Sequence, residues 1–306
     1  ASKDKTVKLW NRQGKLLQTL TGHEDWVYGI AFSRDGKTIA SASKDKTVKL
    51  WNRQGKLLQT LKGHDDWVIG IAFSPDGETI ASASADTTVK LWNRQKQFLQ
   101  SLNGDNGHKK AVWGIAFSPD GKTIASASKD ETVKLWNRQG QLLQTLNHKN
   151  WVYGIAFSPD GKTIATASAD KTVKLWNRQG QLLQTLNHEY WVYGVAFSPD
   201  EDGKTIATAG ADKTVKLWNR QGQLSQTLNG HKKEVYGIAF SPDGKTIATA
   251  GADKTVKLWN RQGKFLRILN GDNGHEDSVI GIAFSPDGKT IASASADKTV
   301  KLWNRQ

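Results

Sequence analysis

The sequence predicts an all-β protein, a seven-bladed β-propeller of four-stranded antiparallel blades. Three observations point there. The stretch Thr47-Val48-Lys49-Leu50-Trp51-Asn52-Arg53-Gln54 recurs eight times, and its tryptophans, Trp10, Trp51, Trp92, Trp136, Trp176, Trp218, Trp259 and Trp303, are 40 to 44 residues apart. That period belongs to propellers and solenoids. Apolar residues alternate or run in short blocks and never recur every three or four positions, so no helix is predicted. A single repeat cannot bury its own apolar faces, which favours one closed ring over separate small domains.

Each repeat reads as four short strands. In the first complete copy the first strand covers 27–32, and the turn Ser33-Arg34-Asp35-Gly36 leads to a second over 38–43. Elsewhere this turn is Ser-Pro-Asp-Gly, as at Ser74-Pro75-Asp76-Gly77, where proline presets the first turn dihedral and glycine supplies the positive one. The third strand covers 47–51 and the fourth 56–61, joined by an Asn-Arg-Gln-Gly turn. Extra residues fall in loops, in the Asn-Gly-Asp-Asn-Gly segments before His108 and His275 and at Glu201-Asp202. Loops absorb such insertions cheaply, whereas a strand insertion would turn every following side chain to the wrong face.

Strand counting sets the blade number. First strands begin at Val27, Val68, Val112, Val152, Val192, Val235 and Val279, making seven, while third strands number eight. The expected organisation is a single domain over 1–306, with repeats beginning near 21, 62, 103, 147, 187, 229 and 270. Residues 1–20 supply a third and a fourth strand, and 15–20 are expected to close the ring by pairing with the C-terminal strands, covering open edges. One third strand is then surplus. The C-terminal copy is expected to take the interior place, because Ser293 and His275 are there to meet Trp303, whereas Trp10 has Asp4 but no serine four positions before it.

Six residues before Trp51 stands Asp45, four before that Ser41, and His23 precedes the first strand. The same set recurs as His64, Ser82, Asp86 and Trp92; His108, Ser126, Asp130 and Trp136; His148, Thr166, Asp170 and Trp176. It continues as His188, Thr208, Asp212 and Trp218; His231, Thr249, Asp253 and Trp259; His275, Ser293, Asp297 and Trp303. This pattern resembles the WD-repeat family of β-propellers over essentially the whole chain. The resemblance implies a buried, hydrogen-bonded set of these four residues in every blade. One departure is consistent: the family's terminal Trp-Asp pair is Trp-Asn here, as at Trp51-Asn52, but that position lies outside the buried set.

Composition excludes several chemistries. The 306 residues contain no cysteine, which removes disulfides, thiolate metal sites and cysteine nucleophiles and fits a reducing compartment. No run of about eighteen apolar residues and no signal-peptide succession occurs, so a soluble, cytoplasmic protein without a membrane span is expected. The net charge of +14 is spread along the repeats rather than gathered in a block, which argues for solubility and against a nucleic-acid partner.

A serine, a histidine and an aspartate per repeat also match the residue types of a hydrolase triad. A nucleophile, however, needs an exposed oxygen, a free base and an oxyanion site, whereas here an indole donor accompanies each set and all seven histidines are used alike. A relay of indole, hydroxyl, imidazole and carboxylate satisfies every polar group, so no catalytic residue and no enzyme activity is expected. Asp35-Gly36-Lys37-Thr38 imitates the end of a phosphate-binding loop, but Ala31 stands where its first glycine should be and a strand follows. Asp272-Asn273-Gly274 with Glu276 and Asp277 lacks the bidentate glutamate of a calcium loop. No metal and no cofactor are expected. Arg12, Arg53, Arg94, Arg138, Arg178, Arg220, Arg261 and Arg305 are expected to form a solvated rim on one face rather than a polyanion site.

The copies differ most just after each histidine: Glu24-Asp25-Trp26, Asp65-Asp66-Trp67, Lys109-Lys110-Ala111, Lys149-Asn150-Trp151, Glu189-Tyr190-Trp191, Lys232-Lys233-Glu234 and Glu276-Asp277-Ser278. The family resemblance places these loops around the mouth of a central channel. Trp26, Trp67, Trp113, Trp151 and Trp191 are not used by the buried sets, and Tyr28, Tyr153, Tyr193 and Tyr236 stand nearby. Aromatics with mixed charge around an opening form a protein or peptide contact site. The expected function is a non-enzymatic scaffold, of the kind the resemblance associates with bacterial signalling and ATPase proteins. The alternatives are a carbohydrate-binding propeller, with indoles stacked on sugars, and an amplified or designed repeat with no evolved ligand.

Overall fold

The computed structural model describes residues 3–11, 15–93, 95, 97–200, 203–270 and 274–305. It consists of two compact units, Ala1–Val152 and Tyr153–Gln306. Arg12, Arg94, Glu201, Asp202, Asp272 and Asn273 lie outside the described residues.

The first unit opens with a two-stranded antiparallel sheet of Val7–Trp10 and Leu16–Leu20. Three complete blades follow. Blade 1 is Val27–Phe32, Thr38–Ser43, Val48–Asn52 and Leu57–Leu61; blade 2 is Val68–Phe73, Thr79–Ser84, Val89–Asn93 and Phe98–Leu102. Blade 3 is Val112–Phe117, Thr123–Ser128, Thr132–Asn137 and Leu142–Asn147. In the second unit blade 4 runs through Val152–Phe157, Thr163–Ser168, Thr172–Asn177 and Leu182–Asn187. Blade 5 has Val192–Phe197, Thr205–Gly210, Val215–Asn219 and Leu224–Leu228; blade 6 has Val235–Phe240, Thr246–Gly251, Val256–Asn260 and Phe265–Leu269. A three-stranded sheet of Val279–Phe284, Thr290–Ser295 and Val300–Asn304 ends the unit. The only helical turn among the described residues is the 3-10 turn Gly104–Asn106. The expected first strands all begin at the stated valines. Leu16–Leu20 pairs with Val7–Trp10, so both N-terminal strands occupy one small sheet.

The second strands explain why no blade stands alone. All six residues of Thr79–Ser84 are buried, because the strand is central in its sheet and covered on both faces. Across the gap between blades 2 and 3, Ala81, Ala83, Val89, Leu91 and Leu102 meet Val112, Ile124 and Trp136. One face of each such blade is thus lined with small alanines and the other carries the bulk, and within each unit consecutive blades interlock small against large. The two-stranded sheet does the same for blade 1: Val7 and Leu20 pack on Val27, Ile39 and Trp51. First strands approach so closely that a Cβ on Gly29 would lie 2.8 Å from the Ile69 carbonyl oxygen, and one on Gly154 would lie 3.0 Å from that of Tyr193. Glycine at this position allows neighbouring first strands to converge.

Candidate interaction surface

The loops that carry the variable residues are held from below by the repeated polar set. In blade 1 Trp51 Nε1 donates to Ser41 Oγ at 2.8 Å, and Ser41 Oγ lies 2.7 Å from His23 Nε2. Because the Asp45 carboxylate can only accept, the imidazole carries a proton on Nδ1 for Asp45 Oδ2 at 2.7 Å. The second lone-pair site of that oxygen takes the Glu24 N–H, and Asp45 Oδ1 takes the N–H and hydroxyl of Thr47. One carboxylate therefore ties the loop, the turn and the third strand together. The same bonds link His64, Ser82, Asp86 and Trp92, and His108, Ser126, Asp130 and Trp136. In the second unit they link His188, Thr208, Asp212 and Trp218; His231, Thr249, Asp253 and Trp259; and His275, Ser293, Asp297 and Trp303. In blade 4 Trp176 Nε1 donates to Thr166 Oγ1 at 2.9 Å, Asp170 Oδ1 accepts from Thr172, and His148 is buried. Trp10, which lacks a serine, has its Nε1 buried without a hydrogen-bond partner.

Burial alone would push these carboxyls up, but the hydrogen bonds outweigh it. His188 and Thr214 hold Asp212 down at about 2. His188 itself is depressed below 6.5, because burial outweighs the upward pull of Asp212. Ser41 is completely buried and its oxygen is occupied by indole and imidazole, a geometry suited to bracing rather than to attack on a substrate.

Above this base lie the aromatics. Asp25 Oδ1 accepts the Trp26 N–H at 2.8 Å, and Asp66 and Asn150 do the same for Trp67 and Trp151, fixing where each indole leaves the loop. In the first unit Tyr28 lies 6.5 Å from Trp26 and 6.1 Å from Trp67 between ring centroids, and Trp113 meets Trp151 edge to face at 5.5 Å. In the second unit Tyr153, Tyr193 and Tyr236 form a row at 5.3 and 5.1 Å. The tyrosines, Trp26, Trp113 and Trp151 are half-buried, whereas Trp67 and Trp191 are 41% and 45% exposed. The Tyr193 phenol is pushed up to about 12, first by burial and then by Tyr236, Tyr153 and the Glu234 carboxylate.

Four of the arginines are strapped to a neighbouring blade instead of forming a solvated rim, while Arg53 is exposed. Arg138 reaches Asp76 of the preceding blade at 2.6 Å while its Nε donates to Gly121 O of its own blade. Arg220 likewise pairs with Asp160, Arg261 with Asp200 and Arg305 with Asp243, each an aspartate of the preceding blade. The fork geometry of guanidinium spans two blades, which the position of the arginine in one repeat does not reveal. Arg53 and Arg178 donate through Nε to the glycine carbonyls of their own blades.

Two further features matter to the surface. Lys44 Nζ stands 4.9 Å from the Trp26 ring and 4.7 Å from that of Trp67, and Lys129 Nζ stands 4.4 Å above Trp151. Their signal in the sequence is that most other copies carry alanine at this position. The fourth strands also leave apolar pairs exposed, among them Leu57 and Leu58, Leu182 and Leu183, and Phe265 and Leu266. Among the described residues no helix is long and apolar enough to cross a membrane.

Four-stranded blades braced by an indole, hydroxyl, imidazole and carboxylate set define the seven-bladed β-propeller class. Seven matches to the WD domain, G-beta repeat, over residues 14–52, 55–93, 96–137, 140–177, 180–219, 222–260 and 263–304, show that the chain belongs to the WD40 family. Single repeats are similar to nuclear distribution proteins of fungi. A stretch of 41 residues is 51% identical to the protein PAC1 of Mycosarcoma maydis, and 40 residues are 48% identical to nudF of Aspergillus terreus. Each match covers 13% of this chain and 9% of the relative, so the likeness is that of one blade.

Proposed function

We propose that this WD40 propeller is a non-catalytic scaffold that binds protein or peptide partners through the loop surface bearing Trp26, Trp67, Trp113, Trp151, Trp191, Tyr28, Tyr153, Tyr193 and Tyr236. The observation that carries the reading is that the same loop position holds an indole in blades 1, 2, 4 and 5, with Trp67 and Trp191 the most exposed, on a base braced by buried hydrogen bonds. Rigid, partly exposed aromatics on a preorganised frame give contact area at low entropic cost. The arginine straps to Asp76, Asp160 and Asp243 take cations out of circulation and favour a protein partner over a polyanion. We further propose that residues 1–306 form one cooperative domain that works in the cytoplasm. A single calorimetric transition tests the first part, and two separate transitions would refute it.

The binding reading is tested by panning a displayed peptide library on the full chain and measuring the selected peptides against Trp67→Ala and Trp191→Ala. The expected result is loss of binding with melting temperatures near that of the parent. Undiminished binding by both variants would overturn it, and selection of glycans on an array instead of peptides would assign the indoles to sugars.

A further inference from the structure

Three of the four loop tryptophans are covered by a cation and one is not. Lys3, ahead of the first strand, stands 4.8 Å from the Trp26 ring. Lys44 and Lys129 each follow directly on a second strand, where the N–H is tied to a loop of the same blade: Lys44 N donates to Trp26 O and Lys129 N to Ala111 O. From there Lys44 caps Trp26 of its own blade and Trp67 of the next, and Lys129 caps Trp151 of the next. For Trp191 the same-blade position is Ala211, whose N–H donates to Trp191 O at 2.8 Å just as Lys44 does in blade 1. The position in the preceding blade is Ala169. Both places from which a lysine reaches an indole thus hold a methyl group, and among the described residues no cation stands over Trp191.

Beside this indole stands an acid. In the next repeat Glu234 occupies the position that holds tryptophan in four other copies. Tyr190, Trp191, Tyr193, Ala211, Lys213 and Glu234 line a cavity of about 560 Å³. The neighbouring Asp212 is committed to His188 and Thr214. The Glu234 side chain makes no hydrogen bond or ion pair among the described residues, and its charge acts on the phenols of Tyr193 and Tyr236. Lys213 in the lining and Lys171, 5.8 Å from the Tyr190 ring, leave Trp191 and Glu234 to each other, and an uncovered indole beside an unpaired carboxylate suits a further cation.

We propose that this cavity binds a lysine or arginine side chain of a peptide partner, its cation stacked on Trp191 and paired with Glu234, in the role that Lys44 and Lys129 fill internally. The proposal rests on the loop surface being a binding platform and names the partner chemistry at one point on it. The overall positive charge does not oppose this, because exposed charges beyond about 8 Å are largely screened at physiological salt. Arginine should bind better than lysine, since its planar group both stacks and forks.

The test is a titration of the full chain with acetyl-Gly-Arg-Gly-amide, following the indole Nε1–H signals by two-dimensional NMR, with the Trp191 signal assigned through Trp191→Phe. A saturable shift is expected at Trp191 and not at Trp26, Trp67 or Trp151. Glu234→Gln should weaken binding by about fivefold or more. Ala211→Lys should abolish it by filling the site from within, and Lys44 and Lys129 show that the position accepts lysine. No saturable shift at Trp191, unchanged affinity in both variants, or preference for acetyl-Gly-Glu-Gly-amide would overturn the proposal. If library peptides bind Glu234→Gln and Ala211→Lys as they bind the parent, the platform stands and this assignment fails; if Trp67→Ala and Trp191→Ala lose no peptide binding, the platform itself fails.

Discussion

Replacing Asp130 with alanine removes the hub of blade 3. Its Oδ2 accepts from His108 Nδ1 at 2.8 Å and Lys109 N at 2.9 Å, and its Oδ1 accepts from Thr132 N at 3.0 Å and Thr132 Oγ1 at 2.6 Å. Lys109 is exposed and the hydroxyl of Thr132 can turn, so these donors recover water at small cost. His108 recovers less: it is 4% exposed, its Nε2 is engaged by Ser126, and the lost carboxylate leaves Nδ1–H only the longer 3.2 Å contact with Thr132 Oγ1. A buried donor stripped of its acceptor costs ~1–3 kcal/mol, and the remaining bonds add about 1 kcal/mol, which gives roughly 2–4 kcal/mol for Asp130→Ala. Asp130→Asn keeps one acceptor oxygen and should lose about half as much. The assay is hydrogen exchange across Thr123–Ser128 and Thr132–Asn137, because a chain of many blades can open locally before it unfolds as a whole. A loss below about 1 kcal/mol in blade 3, or an equal loss in blade 5, would refute the reasoning.

Acid should loosen blade 5 in two stages. A depressed folded-state pKa means that the unfolded chain takes up the proton first, so stability is full above 6.5 and falls as pH drops below that value, where His188 resists protonation. It falls again from 3.8 towards about 2 as Asp212 protonates; protection factors in Thr205–Gly210 that rise on acidification from pH 7 to 5 would contradict this. Thr87 is β-branched and sits at φ 73, where lysine or glutamate stands in the other blades. Thr87→Asn should raise stability by ~0.5–1 kcal/mol, checked by denaturant midpoint at constant slope. Ala83→Leu should cost about 1–3 kcal/mol, because that methyl faces Ile124 and Trp136 across a filled gap; a neutral result would mean that the gap is loosely packed.

Much of this was legible in the repeat. Strand starts at the seven valines and the absence of long helices follow from periodicity and turn residues, which are local. The spacing of Ser41, Asp45 and Trp51 places a hydroxyl, a carboxylate and an indole on one sheet face, within reach of one histidine. What escaped prediction lies between repeats. Arg138 meets Asp76 only because consecutive blades stack, and Lys44 spans two indoles for the same reason; neither pairing leaves a trace in the spacing of one copy. Symmetry then becomes informative where it breaks. When seven copies share one frame, lysine in place of the usual alanine at 44 and 129 and glutamate in place of tryptophan at 234 cannot be ascribed to the demands of the fold, since the other copies meet those demands with different residues. Differences that the frame tolerates are the places where a ligand, rather than packing, can set the side chain. The same logic explains why the surface carries few distinctive residues elsewhere: a repeat copied nearly unchanged spends its sequence on the frame and leaves partner choice to a handful of loop positions.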